Sequence, residues 1–244
     1  MAEFKTSARA VDMLGRQQIA GIPSAISELF KNAHDAYAER AEADFIRFKD
    51  AFVIRDDGDG MSRQDFEGRW LTLGTSSKSA QSSTVQAHPG PKRAILGEKG
   101  IGRLAIAAIG PQTLVITKAR GHRRVVSLIH WGVFELSHAD LSQLAVPVEE
   151  LSEGESPDVQ SMGSRILSNL RELVTVDDEG LYERIEKDIA RWSKTDIVEI
   201  ARMAGFDLAT FDAGTAFIIL PTSPDLEADL EPPTPKEAAP LLRT

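Results

Sequence analysis

Residues 28–36 read Glu-Leu-Phe-Lys-Asn-Ala-His-Asp-Ala and lie within a run of helical periodicity. Apolar side chains recur three or four positions apart at Ile26, Leu29, Phe30, Ala33 and Tyr37. This spacing predicts a helix over residues 24–41. Glu28, Asn32 and Asp35 are spaced by four and three positions, so they share one face at the border of the apolar stripe. The polar edge of an ordinary amphipathic helix is the alternative interpretation.

A second polar stretch, Arg-Asp-Asp-Gly-Asp-Gly-Met at residues 55–61, follows a predicted strand. Its glycines carry no Cβ atom, so the backbone can approach a ligand closely. An aspartate at the end of a strand can accept a hydrogen bond from an exocyclic amine. A calcium loop is one alternative, but Phe66 or Gln64 stands where its glutamate is required. A plain Asp-Gly turn is the other alternative.

A third stretch, Gly-Glu-Lys-Gly-Ile-Gly-Arg at residues 97–103, precedes a short helix predicted over residues 101–109. Backbone N–H groups in such a turn, together with the start of a helix, form an anion site. The stretch is not a P-loop, because the required Lys-Ser/Thr is missing. Residues 100–105 (Gly-Ile-Gly-Arg-Leu-Ala) do match a dinucleotide fingerprint, although residues 118–124 offer no ribose-binding acid. A nicotinamide-cofactor protein therefore stays an alternative.

Strands and further helices are predicted around these three stretches. The predicted strands cover residues 43–48, 51–56, 114–118, 124–131 and 215–220. Ser62 and Asp65 resemble a capping box and predict a short helix up to residue 71. Two or three helices are predicted within residues 161–210. Because helices and strands mix without regular β-α-β alternation, the predicted fold class is α+β.

The chain is predicted to form one domain over residues 1–220, followed by a tail. The tail, residues 221–244, holds six of the twelve prolines and cannot bury enough apolar surface to fold alone. It is expected to be a Pro-rich acidic tail or a linker to a missing C-terminal region. Within the domain, residues 76–93 are predicted to be a flexible loop and residues 149–158 a solvated linker.

Composition excludes several classes of protein. The chain has 244 residues and a net charge of −9, which argues against a general basic surface for duplex nucleic acid. The absence of cysteine removes thiol nucleophiles, disulfides and cysteine-ligated zinc. No apolar run approaches eighteen residues, and the N-terminus lacks the build of a signal peptide. We therefore expect a soluble cytoplasmic protein without a membrane partner.

In their order and spacing, the three stretches resemble the motifs of the GHKL ATPases. This family includes DNA gyrase B subunits, heat-shock chaperones, histidine kinases and MutL. The resemblance covers roughly residues 9–120 and returns at Gly214-Thr215. Residues 73–78 (Leu-Gly-Thr-Ser-Ser-Lys) are similar to the segment that opens the lid in MORC-like and chaperone-like members. The resemblance implies the Bergerat ATP-binding fold, a two-layer sandwich of helices and a mixed, mainly antiparallel sheet. It places the lid at residues 74–102 and a helical insertion at about residues 149–211.

The resemblance also implies roles for single residues. Glu28 is expected to be the general base that deprotonates the water attacking the γ-phosphate. Asn32 is expected to ligate Mg²⁺, and Asp57 to accept a hydrogen bond from the adenine amine. The other residues expected to bind or support the nucleotide are Asp35, Gly60, Met61, Thr75, Ser76, Gly97, Lys99, Gly100, Ile101, Gly102 and Thr215.

The glutamate at position 28 favours ATP hydrolysis over phosphate transfer, because histidine kinases lack a base for water there. We therefore predict a Mg²⁺-dependent ATPase, slow in isolation, which acts as a molecular switch or clamp. ATP is expected to close the lid and dimerise the chain through residues 1–20. An ATP-binding interaction module with little or no turnover is the alternative. DNA or a protein client is expected to bind through regions beyond residue 244.

Overall fold

The computed structural model describes residues 6–17, 21–72, 93–94, 96 and 102–230. No helix in these ranges is both long and apolar enough to cross a membrane. The described strands are β1 (Ala41–Ile46), β2 (Ala51–Asp56), β3 (Gln112–Lys118), β4 (Arg124–His130), β5 (Val148–Leu151) and β6 (Gly214–Ile219). They form one sheet in the order β1-β2-β6-β3-β4-β5. All its described pairings are antiparallel, which confirms the predicted α+β class.

Helices cover both faces of this sheet. They are α1 (Ala8–Gln17), α2 (Ile22–Asp35), α3 (Arg63–Asp65), α4 (Ile106–Ile109), α5 (Val159–Leu173), α6 (Glu179–Ile189), α7 (Ile197–Met203) and α8 (Pro224–Leu230). Two tight turns flank the predicted lid, a π-helical turn at Phe66–Trp70 and a 3₁₀ turn at Gly102–Ala105. The predicted helices within residues 161–210 are thus confirmed as α5, α6 and α7.

Successive side chains of each strand point to opposite faces of the sheet. On β2, Phe52 and Ile54 join a buried cluster with Leu29 of α2 and Ile106 of α4. Val53, between them, joins the other cluster, which contains the buried side chains of α5, α6 and α7. We call these two sides of the sheet the α2 face and the insertion face. The helical insertion therefore adds a third layer to the predicted sandwich.

Helix α2 ends at Asp35, six residues before the predicted end. Tyr37 adopts a φ of 61°, and the N–H of Ala38 donates to the carbonyl oxygen of Ala33, which closes the helix. From Ala41 onwards the chain pairs with β2 as an edge strand. The helix propensity of this alanine-rich stretch is overridden by sheet pairing.

Two segments predicted to be irregular contain regular structure. The start of residues 149–158 belongs to β5, which pairs with β4 at the edge of the sheet. Its glutamates suit such an edge, where charge discourages pairing with another chain. In the predicted tail, α8 buries Leu226 completely in the α2-face cluster. Residues 231–244 lie outside the described residues.

The described part of the N-terminal segment packs on its own chain. The N–H of Ala8 donates to the carbonyl oxygen of Ala139, and the N–H of Leu141 donates to that of Thr6, both at 2.9 Å. Val11 is buried in the α2-face cluster. The described part of the segment predicted to mediate dimerisation, residues 6–17, therefore packs within one chain.

Candidate functional site

The first and third sequence motifs meet on the α2 face. A Cβ atom on Gly102 would lie 3.0 Å from Glu28 Oε2 and 3.8 Å from Asn32 Nδ2. Gly102, the described residue at the end of the glycine stretch, therefore lies close to the carboxylate and the amide of α2. Both side chains are only half-buried, so a ligand can reach them. This arrangement places a carboxylate and an amide next to Gly102, which ends the stretch predicted to bind an anion.

Lys31 contacts the predicted base. Its Nζ atom donates to Glu28 Oε1 at 2.5 Å. One carboxylate oxygen of Glu28 thus faces Lys31 and the other faces Gly102. Sequence reasoning missed this contact, although a spacing of three residues on a helix places the two side chains side by side.

Asp35 contacts the predicted lid. Its Oδ1 atom accepts a hydrogen bond from the N–H of Leu96 at 2.8 Å. Nearby, the guanidinium of Arg93 donates to the carbonyl oxygen of Ala38 at 2.7 Å and lies over the ring of Tyr37. The end of α2 therefore contacts Arg93 and Leu96 of the predicted lid.

Arg103 ties together the two ends of the lid. Its guanidinium donates to the carbonyl oxygens of Arg69 at 2.7 Å, of Thr72 at 3.3 Å and also of Trp70. It also lies over the ring of Trp70. Burial lowers the pKa of Arg103 to about 10, so the side chain remains charged at neutral pH.

The second motif is joined to the end of α2. The N–H of Asp59 donates to the carbonyl oxygen of Ala36 at 2.7 Å. A Cβ atom on Gly58 would lie 2.6 Å from the same oxygen, so this position requires glycine. The motif that follows β2 is therefore packed against the helix that carries Glu28 and Asn32.

Asp57 does not face the site. Its carboxylate is exposed, and Oδ1 accepts hydrogen bonds from the N–H groups of Glu39 and Arg40, both at 2.8 Å. These bonds fix the connection between α2 and β1. The carboxylate of Asp57, which was predicted to accept the adenine amine, is therefore engaged in a turn on the surface.

Asp56 is the carboxylate that faces the site. It has the same strand parity as Phe52 and Ile54, which places it on the α2 face. Its Oδ1 atom accepts a hydrogen bond from the N–H of Gly58 at 2.9 Å. Burial raises the pKa of Asp56 to about 6, against hydrogen bonds from the N–H groups of Gly58 and Thr215 that lower it. The alternation of β2 was the sequence signal that would have identified this residue.

A hydroxyl network borders Asp56. Thr215 lies opposite Asp56 in the β2–β6 register, and its Oγ1 is 2.9 Å from Oγ1 of Thr117. Thr117 Oγ1 also accepts a hydrogen bond from the N–H of Met61 at 3.0 Å. Thr215 and Met61 therefore both contact Thr117, a residue for which the sequence gave no signal.

Gly60 is required by packing. It adopts a φ of 64°, and a Cβ atom there would lie 2.0 Å from the carbonyl oxygen of Lys118. The second motif thus lies directly against the ends of β3 and β6. Such close backbone approach is open to glycine alone.

The remaining predicted site residues belong to the predicted lid. Thr75, Ser76, Gly97, Lys99, Gly100 and Ile101 lie outside the described residues. Two cavities lined by described residues, of about 290 and 660 Å³, contain no residue predicted to bind ATP. Most of the lid, which would form one wall of the site, lies outside the described ranges.

The antiparallel sheet, the helix with its carboxylate and amide, and the glycine turn define an α+β nucleotide-binding domain. A family model described as histidine kinase-, DNA gyrase B-, and HSP90-like ATPase matches residues 21–159, which is more than half of the chain. The chain belongs to this GHKL-type ATPase family. The match favours ATP over the nicotinamide-cofactor alternative. No curated protein sequence matches the chain.

Proposed function

We propose that this protein binds ATP on the α2 face and hydrolyses it with Mg²⁺. The observation that carries the proposal is the contact of Gly102 with Glu28 and Asn32. It places a potential base and a potential metal ligand beside a backbone turn suited to phosphates. At the other end of the site, Asp56 and Thr215 offer polar groups to the adenine ring.

Asn32 would hold Mg²⁺ through its amide oxygen. Mg²⁺ favours oxygen ligands and usually keeps several waters and substrate phosphates in its shell, so one protein ligand is sufficient. The half-buried position of Asn32 beside Gly102 fits this role. The ion would neutralise charge on the phosphates during the reaction.

Glu28 would act as the general base. Its Oε2 atom is next to Gly102, where the terminal phosphate would lie, and it would take a proton from the attacking water. Lys31 holds the other oxygen and would orient the carboxylate. Orientation of this kind places the base without further movement when substrate binds.

Asp56 would accept the hydrogen bond from the adenine amine, in place of Asp57. Its carboxylate is at the end of β2 on the α2 face, beside the hydroxyl group of Thr215. Burial raises the pKa of Asp56, and a further hydrogen bond from the adenine amine would stabilise the ionised carboxylate. Met61 would pack on the base.

Closure of the lid and dimerisation complete the proposal. The contacts of Leu96 and Arg93 with the end of α2 support a lid that responds to the nucleotide. Sedimentation velocity with and without a non-hydrolysable ATP analogue tests dimerisation. A monomer in both conditions contradicts it.

Glu28→Gln tests the hydrolysis reaction. We expect phosphate release to fall by roughly 100-fold or more, because the amide cannot accept the proton. Affinity for a non-hydrolysable analogue, measured by calorimetry, should change by less than about threefold. Glu39→Gln, an exposed glutamate outside the site, is the matched control and should leave turnover unchanged.

The alternative is an ATP-binding interaction module with little turnover. The ion pair between Lys31 and Glu28 favours it, because the lysine occupies one carboxylate oxygen of the proposed base. The same experiment decides between the two functions. Equal phosphate release by the wild-type protein and by Glu28→Gln would support the module that binds ATP without catalysis.

A further inference from the structure

A cavity of about 290 Å³ lies at the end of the sheet where β3 turns into β4. Its walls include Lys118, His122, Arg123, Arg124, Ser152 and Phe211. We call it the hairpin pocket. Glu153 is the one carboxylate among its described lining residues. In a chain with a net charge of −9, this convergence of cations is a local exception.

The hairpin pocket is separate from the proposed ATP site. Lys118 has the strand parity of Ile116, and Arg124 has that of Val126, and both of these neighbours belong to the insertion-face cluster. Thr117, one residue before Lys118, contacts Thr215 on the α2 face. The two sites therefore lie on opposite faces of the same strands.

The charges of the pocket are incompletely paired. Lys118 Nζ lies 3.7 Å from Asp212 Oδ1, whereas the two arginines are less well matched. Arg124 is 5% exposed, donates to the carbonyl oxygen of Glu155 and has no hydrogen-bond partner for Nε. Burial lowers its pKa despite the attraction of Glu155 and Asp207. Arg123 is exposed and forms no ion pair with an acid in the described part of the chain. A buried cation of this kind is stabilised by an added anion.

The chemistry of the walls specifies the anion. Guanidinium groups form paired hydrogen bonds with phosphate, and the Ser152 hydroxyl group adds a donor. The half-buried ring of Phe211 offers an apolar wall on which a base can stack. A cavity near the lower limit of small-ligand sites, about 300 Å³, accommodates one such unit. We propose that the hairpin pocket binds the phosphate of a nucleotide unit, either free or within single-stranded nucleic acid.

Fluorescence anisotropy with a labelled oligothymidylate of about twelve residues tests this proposal in the absence of ATP. About three phosphate contacts predict a slope near −2 for log K against log salt, at about −0.7 per contact. Arg123→Glu should weaken binding by at least about tenfold, because it reverses an exposed charge without altering the buried Arg124. Lys194→Glu makes the same charge change at an exposed site outside the pocket and should stay within about twofold.

The two sources of the phosphate are separated by probe length and competition. Affinity that rises with oligonucleotide length identifies nucleic acid. Affinity that is independent of length, with full competition by thymidine monophosphate, identifies a free nucleotide. Equal binding of the oligothymidylate by the wild-type protein and by Arg123→Glu overturns the proposal. So does a failure of the wild-type protein to bind either the oligothymidylate or thymidine monophosphate at low salt. Circular dichroism confirms that each variant is folded.

Discussion

At the scale of single residues, Asp56 links stability to the proposed ATP site. Burial keeps a proton on Asp56 in the folded chain at pH values where the unfolded chain has lost it. Between pH 3.8 and about 6 the folded state therefore binds more protons, and the free energy of unfolding falls as the pH rises. Above about pH 6 both states are ionised, and the cost of the buried charge stays constant.

Asp56→Asn should remove this cost. The amide oxygen can still accept the hydrogen bond from Gly58, whereas the buried charge is absent. We expect the free energy of unfolding at pH 7 to rise by about 1 to 3 kcal/mol, at about 1.4 kcal/mol per pKa unit. Urea denaturation at several pH values measures this free energy. Its decrease between about pH 4 and 6, expected for the wild-type protein, should be smaller in the variant. The variant should bind ATP at least about tenfold more weakly.

Asp57→Asn is the matched control for this prediction. It removes the neighbouring charge, but its oxygen can keep the bonds from Glu39 and Arg40. ATP affinity should stay within about twofold of the wild-type value. The reverse pattern, with Asp57→Asn losing ATP and Asp56→Asn keeping it, would restore the assignment made from sequence.

At the scale of elements, the start of β6 depends on Gly214. Its φ is 113°, and a Cβ atom there would lie 2.1 Å from the carbonyl oxygen of Asp56. Gly214→Ala should therefore lower the free energy of unfolding by about 2 kcal/mol or more and weaken ATP binding, because β2 and β6 must separate.

Gly154→Ala separates backbone strain from steric conflict in this prediction. Gly154 also has a positive φ, 79°, but a Cβ atom would meet nothing within 4 Å. Its substitution should cost only about 1 kcal/mol. Thermal unfolding of the two variants checks the difference, and equal losses would show that the close approach at Gly214 is unimportant.

The helices and strands that show an apolar periodicity along their whole length were predictable from sequence. α2 and the four central strands are present within a few residues of their predicted positions, apart from the early end of α2. β5 was not predictable, because its glutamates resemble a linker and its pairing with β4 is set by the fold. The contact of Gly102 with Glu28 likewise depends on the path of the chain between them.

At the scale of the whole molecule, the sheet is shared by two cores. Val53 of β2 and Ile185 of α6 belong to one cluster, while Phe52 beside Val53 belongs to the other. Loss of packing in the insertion therefore reaches the strands that carry Asp56 and Thr215. We expect the insertion and the nucleotide-binding core to unfold as one cooperative unit.

Ile185→Ala tests this cooperativity. Ile185 is fully buried, so its truncation should cost about 2 to 5 kcal/mol. Transitions followed by circular dichroism and by tryptophan fluorescence should move together. Val176→Ala, at a side chain 87% exposed, should stay within about 0.5 kcal/mol of the wild-type protein. Two separate transitions would mean that the insertion folds independently.

The hydrogen bonds of Arg103 across the ends of the predicted lid affect how the sequence of this domain can vary. Because one guanidinium holds the carbonyl oxygens of Arg69 and Thr72, it sets the spacing of the lid ends whatever lies between them. The entropy of closing a loop grows slowly, by about 0.6 kcal/mol for each doubling of length. We therefore expect the segment between these ends to tolerate changes in length and sequence while the rest of the domain stays folded. A segment from another protein could be inserted there for the same reason.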